Sequence, residues 1–431
     1  TQKRKISLFF SFCNKMQCMI RMIQSRSAGH AKAYFSDALS KSDYYVSDQE
    51  LAGYWQGRLA DRLELEGMTT RESFFALCEN KHPKTGEHLT PRTKEERTIG
   101  YDINFHCPKS VSVLHVMSGD SHILDAFQQS VTETMKDIEA DSKTRVRKDG
   151  VYDDRPTGEL VWANFVHQTA RPVEGFSPDP HLHSHCFVFN ATWDEQEQRV
   201  KAGQFRDIKR DMPYYQAIFH KRLSDKLIDL GYQIEKTDKS FEVKGVPKQV
   251  VDLFSKRTDE IGRIAKEKGI TDAKELGDLG ARSRSKKQKG TCMSELKQQW
   301  TEQIHNLPAK DKGESETTVR FAPQKEAHEL TNKQCVDHAL LHCFERASVM
   351  ADRRVLEAAY RHGIGNSSVS VSEITKQFNK DERIVHVQEN SRTLCTTKEV
   401  LSEEKHMVEL ARHGQGKLIP LYAEAPELKL K

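Results

Sequence analysis

The sequence predicts an α+β fold, in which antiparallel strands are interleaved with helices. Tyr101–His106 alternates apolar and polar residues, as a half-buried strand does. Leu160–His167 and Leu182–Asn190 are rich in Val, Phe and Trp, which favours strands. The loop Arg171–Pro180 between them contains Pro and Gly and suits an antiparallel pair. Because helical patterns stand between and after these strands, an α+β domain is expected rather than an all-β one.

The first elements are expected near the amino terminus. Structure becomes readable at Ser25–Tyr34. A helix is predicted from Ser47, because Ser47 and Glu50 form a capping box and an apolar stripe follows. The stripe runs through Leu51, Trp55, Leu59 and Leu63 to Gly67. Pro108 then ends the strand Tyr101–His106 and begins a further helix.

The carboxyl-terminal half reads mainly as helix. The predicted elements are helices at Pro213–Leu230, Val250–Lys268 and Ser294–His305, a hairpin of Tyr232–Glu235 and Phe241–Lys244, and helical sequence over Thr331–His362 followed by a short helix and a hairpin. A polar stretch at 308–324 indicates a linker. The sequence therefore predicts an amino-terminal extension at 1–22, a main domain at 23–290, a helix and linker at 291–325, and a small helical domain at 326–431.

Composition excludes several classes of protein. The 431 residues contain no window near the ~20 apolar residues that a membrane span needs, so no membrane insertion is expected. Nine cysteines without a CxxC pair indicate reduced thiols in a cytosol. A net charge of +4 permits a nucleic-acid partner without requiring one. No GxxxxGK[ST] phosphate loop occurs, so nucleotide hydrolysis is not indicated.

Three histidines alternate along one predicted strand. His181, His183 and His185 are two residues apart, so their imidazoles line one face. His167 ends the neighbouring strand candidate, and an antiparallel pairing would bring it beside this row. Imidazole nitrogens bind a metal ion at ~2.0–2.1 Å, and such ligation leaves positions for substrate oxygens. A single HxH recurs freely, but this larger group favours a catalytic metal site.

Three tyrosines lie in polar sequence near the start of the predicted main domain. They are Tyr34, Tyr44 and Tyr45. An isolated tyrosine usually packs against a core, whereas two groups in a polar segment indicate another use. A phenol becomes a nucleophile when a cation lowers the charge on the phosphate that it attacks, or when a base takes its proton. Histidines and tyrosines together therefore suggest phosphodiester transesterification.

Four segments of the chain resemble one known family. They are Arg26–Phe35 with Tyr44 and Tyr45, Gly100–Ser112, His167–Arg171 and Asp179–His185. In their order and spacing they are similar to the relaxase domain of conjugative relaxases of the relaxase–helicase class (MobF-type). These are HUH endonucleases that nick plasmid DNA at an origin of transfer. Likeness runs from about residue 23 to 289, and a weaker likeness at 338–417 resembles the start of the helicase region.

The resemblance implies a fold and a metal site. The expected fold is a central antiparallel sheet of HUH type, surrounded by helices, with a small, mainly helical carboxyl-terminal domain. His167, His183 and His185 match the family's metal ligands, whereas His181 stands where the family usually has Gln. The expected cofactor is one divalent cation (Mg, Mn or Zn), and no nucleotide is expected.

The resemblance also implies roles for the tyrosines. Tyr34 matches the nucleophile of the first cut, Tyr44 a tyrosine of a second strand transfer, and Tyr45 is its neighbour. Asp102 matches an acidic residue that orients a ligand histidine or helps to activate the phenol. Phe35 departs from the family, which usually has a second tyrosine there, so Tyr34 is the one candidate of the first pair. The expected product is a 5′-phosphotyrosyl bond that the freed 3′ end can reverse.

The expected substrate is single-stranded DNA at the nick, beside a hairpin or duplex. Basic side chains should hold its backbone; the candidates are Lys109, Arg171, Arg145 and Arg147. The resemblance further implies conjugation accessory proteins and type IV secretion coupling proteins as partners. It implies a monomer in the bacterial cytoplasm that can enter recipient cells with the DNA.

Three other functions remain open from the sequence. A rolling-circle replication initiator or HUH transposase would share the cut but not the sequence at 338–417. A metal-containing single-stranded DNA-binding protein without catalysis would use the histidines structurally. A Ser/Cys hydrolase is weakly indicated by Cys107 and Cys186, which a buried apolar role also explains.

Overall fold

The computed structural model describes residues 20–36, 53–91, 94, 96–148, 150–238, 240–270, 272, 275, 292–308, 329–389 and 391–417. Its first elements are β1 (Arg21–Ser27), α1 (Ala28–Tyr34), β2 (Tyr54–Gln56), α2 (Arg58–Arg62), α3 (Arg71–Cys78), β3 (Glu96–His106), α4 (Lys109–Ser118) and α5 (Ser121–Ala140). They are followed by β4 (Lys143–Lys148), β5 (Val151–Pro156), β6 (Trp162–Thr169), β7 (Pro180–Phe189), β8 (Thr192–Asp194) and β9 (Arg199–Lys201).

The remaining elements are mainly helices. They are α6 (Arg206–Arg210), α7 (Met212–Asp229), β10 (Ile234–Lys236), β11 (Phe241–Val243), α8 (Lys248–Leu253), α9 (Lys256–Glu267) and α10 (Met293–His305). The last part contains α11 (Asn332–Phe344), β12 (Met350–Ala351), α12 (Asp352–Gly363), α13 (Val371–Lys380), β13 (Ile384–Glu389), β14 (Arg392–Thr397) and α14 (Lys398–Gly414). None of the helices described is long and apolar enough to cross a bilayer.

A five-stranded antiparallel sheet forms the centre of the fold. Its strands follow the order β1-β3-β7-β6-β2, so the histidine strand β7 is the middle one. Helices α4, α5 and α7 cover one face with a core that includes Phe105, Phe127 and Phe219. Helices α1 and α3 cover part of the other face around Phe74 and Phe187. The expected α+β fold with a central antiparallel sheet is confirmed.

Of the helix predicted from Ser47 to Gly67, only Arg58–Arg62 is helical among the described residues, and the rest of the prediction is wrong there. Tyr54–Gln56 forms the edge strand β2 and pairs with β6, and helix α2 begins only after Gly57. Gly57 has a φ of +103°, and a Cβ there would lie 2.3 Å from the carbonyl oxygen of Leu160. The apolar stripe is real, but part of it packs from a strand; Ser47, Glu50 and Leu51 lie outside the described residues.

Two other predicted helices are divided. The helix expected at Val250–Lys268 consists of α8 and α9, with Phe254 buried at the break between them. The helical sequence at Thr331–His362 forms α11 and α12, and the short strand β12 separates them. The long helix α5 and the hairpin β4–β5 were not predicted from the sequence.

The carboxyl-terminal part packs against helix α7. Helices α11, α12 and α13 share a core with Ala217 and Ile218 of α7. Arg353 of α12 forms ion pairs of 2.7 Å with Asp141 and 3.1 Å with Asp211. The predicted domain limits remain predictions, and the proposed linker overlaps residues 309–328, which lie outside the described residues.

Candidate active site

The open half of one sheet face carries the candidate site. Along β7, Phe187 and His185 lie on the same face, because residues two apart share a face. The apolar half of this face is covered by α1 and α3. The polar half continues through His185, His183 and His181. Among the described residues, the buried cluster under α1 and α3 does not extend over these three histidines. The alternation of β7 thus places its histidines at the edge of an aromatic core.

Strand pairing brings His167 beside this row. His167 of β6 lies directly opposite His183 of β7. The ring centroids are 5.3 Å apart for His167 and His183, 5.3 Å for His167 and His185, and 5.2 Å for His183 and His185. The three imidazoles therefore form a nearly equilateral triangle, which we call the histidine triangle.

The spacing of the histidine triangle fits a shared metal ion. A ring bound at about 2.1 Å has its centre roughly 3.2 Å from the ion, so two rings at the tetrahedral angle lie about 5.2 Å apart. As the rings now stand, however, the described residues contain no group of three or more His, Cys, Asp or Glu side chains that could hold an ion. The ring spacing therefore fits a shared ion, whereas the side chains as they stand do not form a closed ligand group.

The hydrogen bonds of two rings also suit metal binding. Nδ1 of His183 lies 2.9 Å from the carbonyl oxygen of His181, and Nδ1 of His185 lies 2.9 Å from Oδ2 of Asp102. Both oxygens are acceptors, so each Nδ1 carries the proton and each Nε2 keeps its lone pair. Burial and the neighbouring His181 lower the pKa of His183 well below its usual value, which favours the neutral ring that metals bind. The donor set therefore fits a divalent cation.

Helix α1 carries Tyr34 to the histidine triangle. The Ser27 hydroxyl caps this helix by accepting a hydrogen bond from the backbone N–H of His30. Ala31 and Phe35 bury their side chains in the aromatic core, which holds the helix on the sheet. The Tyr34 hydroxyl, at the end of the helix, lies 3.1 Å from Nδ1 of His185. The phenol is thus next to the triangle.

Asp102 joins the phenol to the triangle. The Tyr34 hydroxyl donates a hydrogen bond of 2.5 Å to Oδ2 of Asp102, the same oxygen that accepts from His185. Asp102 lies on β3, and its neighbour Asn104 pairs with His185 in the register of β3 and β7. The side-chain amide of Asn104 lies against both groups, with one terminal atom 2.7 Å from Oδ1 of Asp102 and 2.6 Å from Nδ1 of His185.

Asp102 is held as an anion. Burial by itself raises the pKa of this carboxyl group, but its interactions with His185, Tyr34 and Asn104 oppose that effect. The net effect lowers the pKa of Asp102. An ionised carboxylate with these donors orients both the phenol and the imidazole.

Phe35 points away from the candidate site. Its ring stacks on Phe74 with 4.3 Å between centroids and contacts Phe165 at 5.9 Å. Only 3% of Phe35 is exposed. Tyr34 and Phe35, although adjacent in sequence, therefore serve the site and the core respectively. Tyr44 and Tyr45 lie outside the described residues.

The predicted DNA-binding residues lie in three places. Arg171 lines a cleft of about 280 Å³ together with Tyr34 and the histidine triangle. Lys109, in the first turn of α4, is buried, and its ammonium donates to the carbonyl oxygen of Pro180 at 2.9 Å. Arg145 and Arg147 lie on the separate hairpin β4–β5, where both are exposed and Arg145 pairs with Asp154 at 3.1 Å. The structure thus brings Arg171 to the cleft and leaves the other two arginines on the hairpin.

Several cleft residues were missed in the sequence analysis. Arg21, Asn104, His106 and Arg257 line the same cleft. Asn104 and His106 share the strand face of Asp102, so the alternation of β3 was a usable signal for both. Arg21 and Arg257 are more than 200 residues apart in sequence, and no local pattern links them to the histidines.

Comparisons with known proteins find relatives over most of this chain. A family model described as TrwC relaxase matches residues 28–307. The multifunctional conjugation protein TraI of Escherichia coli (strain K12) is 31% identical over 274 residues. That match includes 61% of this chain and 15% of TraI, so the chain spans about one seventh of the length of this relative.

Solved structures show the same architecture. One is the conjugative relaxase TrwC in complex with oriT DNA in a metal-bound form, with a TM-score of 0.58 and 26% identity over 66% of this chain and 97% of that one. Another is TrwC with a 27-mer DNA that comprises the recognition hairpin and the cleavage site, with a TM-score of 0.57 and 25% identity over 67% of this chain and 98% of that one.

Proposed function

The chain belongs to the TrwC relaxase family, and on this basis we propose that it nicks one DNA strand at an origin of transfer through a covalent tyrosyl intermediate. The observation that carries the proposal is the contact of the Tyr34 hydroxyl with both Asp102 and His185, beside the histidine triangle. This arrangement combines a nucleophile, a proton acceptor and a candidate metal site in one cleft.

Tyr34 is the proposed nucleophile. Its oxygen attacks the phosphorus of the scissile phosphodiester, the bond to the 3′ oxygen breaks, and a 5′-phosphotyrosyl bond forms. The phenolic proton moves to Asp102, which already accepts the hydrogen bond of the hydroxyl, and is then released to solvent. The departing 3′ oxygen takes up a proton from solvent and becomes the 3′-hydroxyl. His185 donates to the same carboxylate and keeps it in position. The reaction exchanges one phosphodiester for another, so the freed 3′-hydroxyl can reverse it without a nucleotide.

His167, His183 and His185 are the proposed ligands of a divalent cation. When bound, such a cation withdraws charge from the non-bridging oxygens of the phosphate and fixes its position. The proposed ion is Mg, Mn or Zn, and no nucleotide cofactor is proposed. The equal spacing of the three rings and the Nδ1 hydrogen bonds of His183 and His185 support it.

The proposed substrate is single-stranded DNA next to a hairpin. Arg171 in the cleft is proposed to contact the strand near the cut, and Arg145 and Arg147 on the hairpin β4–β5 are proposed to contact DNA further away. Lys109 is proposed to contact the backbone beside the histidine strand. We also propose that the chain works in a bacterial cytoplasm with conjugation accessory proteins and a secretion coupling protein, and that it enters recipient cells with the DNA. Tyr44 and Tyr45 are proposed to act in a second strand transfer.

Covalent capture of DNA tests the proposal. The chain is incubated with a labelled oligonucleotide that carries the origin of transfer of its own plasmid, with Mn²⁺ or with EDTA. A protein–DNA adduct is expected with the ion and not with EDTA, and mass spectrometry should place the linkage on Tyr34. Tyr34→Phe should form no first-cut adduct, while Tyr54→Phe, an exposed tyrosine on β2, serves as the matched control. An undiminished adduct in Tyr34→Phe would refute the assignment of the nucleophile.

A further inference from the structure

A second cavity adjoins the cleft. Its volume is about 170 Å³. The residues that line both spaces are Arg21, His106, Ala170, His181 and Arg257. Nδ1 of His106 lies 3.1 Å from Nε2 of His181, so a hydrogen-bonded imidazole pair forms part of the shared wall. Tyr34 lines the cleft and Lys109 lines the second space, which we call the basic cavity.

Positive charge dominates the basic cavity. Its cations come from three elements: Arg21 from β1, Lys109 from the first turn of α4, and Arg257 from the first turn of α9. Asp179 is the one acidic residue among the described residues that line the cavity. Lys256 already neutralises that carboxylate, with its ammonium at 2.7 Å and its backbone N–H at 3.0 Å. Glu260, outside the lining, pairs with Arg257 in turn, but three cations and one carboxylate in the lining itself favour an anion over a cation.

Two of the three cationic groups, those of Lys109 and Arg257, are held in place before any ligand binds. Lys109 is 7% exposed, and the carbonyl oxygen of Pro180 fixes its ammonium. The side chain of Arg257 is 16% exposed and pairs with Glu260 one turn further along α9. Side chains that are already ordered lose little conformational entropy on binding. This separates the basic cavity from a patch of mobile surface lysines.

We propose that the basic cavity binds a backbone phosphate of the DNA strand, adjacent to the phosphate that is cut, through Arg21, Lys109 and Arg257. The inference rests on the proposed function, because the cavity shares a wall with the cleft where the cut would occur. A guanidinium binds phosphate with two parallel hydrogen bonds, and an ammonium adds a third donor group. Contacts of this kind fix the register of a strand without reading its sequence. The basic cavity thus sets which phosphate lies over Tyr34.

The salt dependence of DNA binding tests this inference. The probe is a short fluorescent oligothymidylate, and its dissociation constant is measured by anisotropy at several sodium chloride concentrations. Each lost phosphate contact on a single strand reduces the slope of log K against log [salt] by about 0.7. Arg257→Gln should therefore bind about tenfold more weakly at low salt and show a slope that is smaller by about 0.7. Arg257→Lys should keep most of the wild-type slope.

Arg263→Gln is the matched control. It lies on the same helix, is 65% exposed, and pairs with Glu267 as Arg257 pairs with Glu260, so both variants leave one carboxylate without its arginine. The control should keep the wild-type slope and affinity. An unchanged slope in Arg257→Gln, or an equal loss in Arg263→Gln, would overturn the inference.

Two further measurements separate the outcomes. Replacing sodium chloride by sodium phosphate at equal ionic strength should weaken wild-type binding more than that of Arg257→Gln, because free phosphate competes for the cavity; equal effects on both would count against the site. The covalent adduct on Tyr34 is measured in the same variants with the plasmid's own origin DNA. An unchanged slope with a normal adduct would refute the basic cavity alone, whereas loss of the adduct in the wild-type chain would refute the proposed function.

Discussion

The position of the Tyr34 hydroxyl depends on the carboxylate of Asp102. It accepts hydrogen bonds from Tyr34 and His185 with one oxygen, and Asn104 contacts the other. Three elements, α1, β3 and β7, therefore meet at one anion. A neutral group of the same shape would keep the packing but would not accept the phenolic proton.

Asp102→Asn should slow cleavage more than it destabilises the fold. Loss of a positioned proton acceptor typically reduces a rate by about 10²–10⁴-fold. Adduct formation in single-turnover experiments measures the rate, and thermal unfolding checks the fold. Ser27→Ala, which removes only the cap of α1, is a comparison variant that should cost about 1 kcal/mol of stability and change the rate far less. A rate of Asp102→Asn within a few-fold of wild type would exclude the proton-acceptor role.

At the residue scale, the sequence predicted the histidines better than their partners. The alternation of His181, His183 and His185 follows from strand geometry alone. The contact of Tyr34 with Asp102 spans 68 residues, so spacing could not predict it; only the family resemblance indicated it. The alternation along β3 puts His106 on the same face as Asp102. Its hydrogen bond to His181, however, depends on the register between β3 and β7.

The pairing of β3 with β7 is the element-scale feature that positions the site. His106 lies opposite His183 and Asn104 opposite His185. Gly100, four residues before Asn104 on β3, lies opposite Phe189 in the same pairing. A Cβ on Gly100 would lie 2.3 Å from the carbonyl oxygen of Val188, which is backbone that can yield only if the strands move apart.

Gly100→Ala should therefore damage both stability and catalysis. We expect a loss of about 1–3 kcal/mol in the free energy of unfolding, as for other overpacked sites, with slower adduct formation. Gly29→Ala is the matched control, because nothing lies within 4 Å of an added Cβ and Gly29 lies in the first turn of α1, the helix that carries Tyr34. That variant should gain about 0.5–1 kcal/mol. Denaturant unfolding measures both, and equal stabilities would contradict the close approach of the strands.

The strand β2 shows why one element was predicted wrongly. Trp55, Leu59 and Leu63 have helical spacing, and all three are buried in one core. Yet Tyr54–Gln56 completes the edge of the sheet by pairing with β6. Hydrogen bonds to a distant strand decided the conformation, together with the positive φ of Gly57, and neither is visible in apolar periodicity.

On the scale of the whole molecule, the carboxyl-terminal part is joined to the main sheet through α7. Lys221 of α7 is fully buried, pairs with Asp225 one turn away, and donates to the carbonyl oxygen of Asn366 at 3.1 Å. Burial raises the pKa of Asp225 from 3.8 to about 7, although the charge of Lys221 opposes this. Burial also lowers the pKa of Lys221, with Asp225 opposing it.

The raised pKa of Asp225 predicts a particular pH dependence. The folded chain binds the Asp225 proton more tightly than the unfolded chain, so this group makes the free energy of unfolding fall as pH rises from 3.8 to about 7. The double variant Lys221→Met/Asp225→Leu should lose this contribution and be as stable as the wild type, or more stable by about 1–4 kcal/mol. Asp225→Leu alone should lose about 3–5 kcal/mol, because Lys221 stays buried without its partner.

Denaturant unfolding of the three proteins across this pH window measures the effect. The difference between wild type and double variant should change with pH in the stated direction. A constant difference would show that Asp225 has an ordinary pKa. The sequence analysis predicted a small helical region after 326 but not its contact with α7, since that contact joins residues more than 100 positions apart.

The central claim is that one ion held by His167, His183 and His185 and the hydroxyl of Tyr34 act on the same phosphate. Anomalous diffraction from crystals of the chain grown with Mn²⁺ and origin DNA tests it most directly. The account predicts one manganese peak within bonding distance of all three imidazoles, with a DNA phosphate between that ion and the Tyr34 hydroxyl. A peak bound elsewhere, or a scissile phosphate out of reach of Tyr34 in the occupied site, would contradict it.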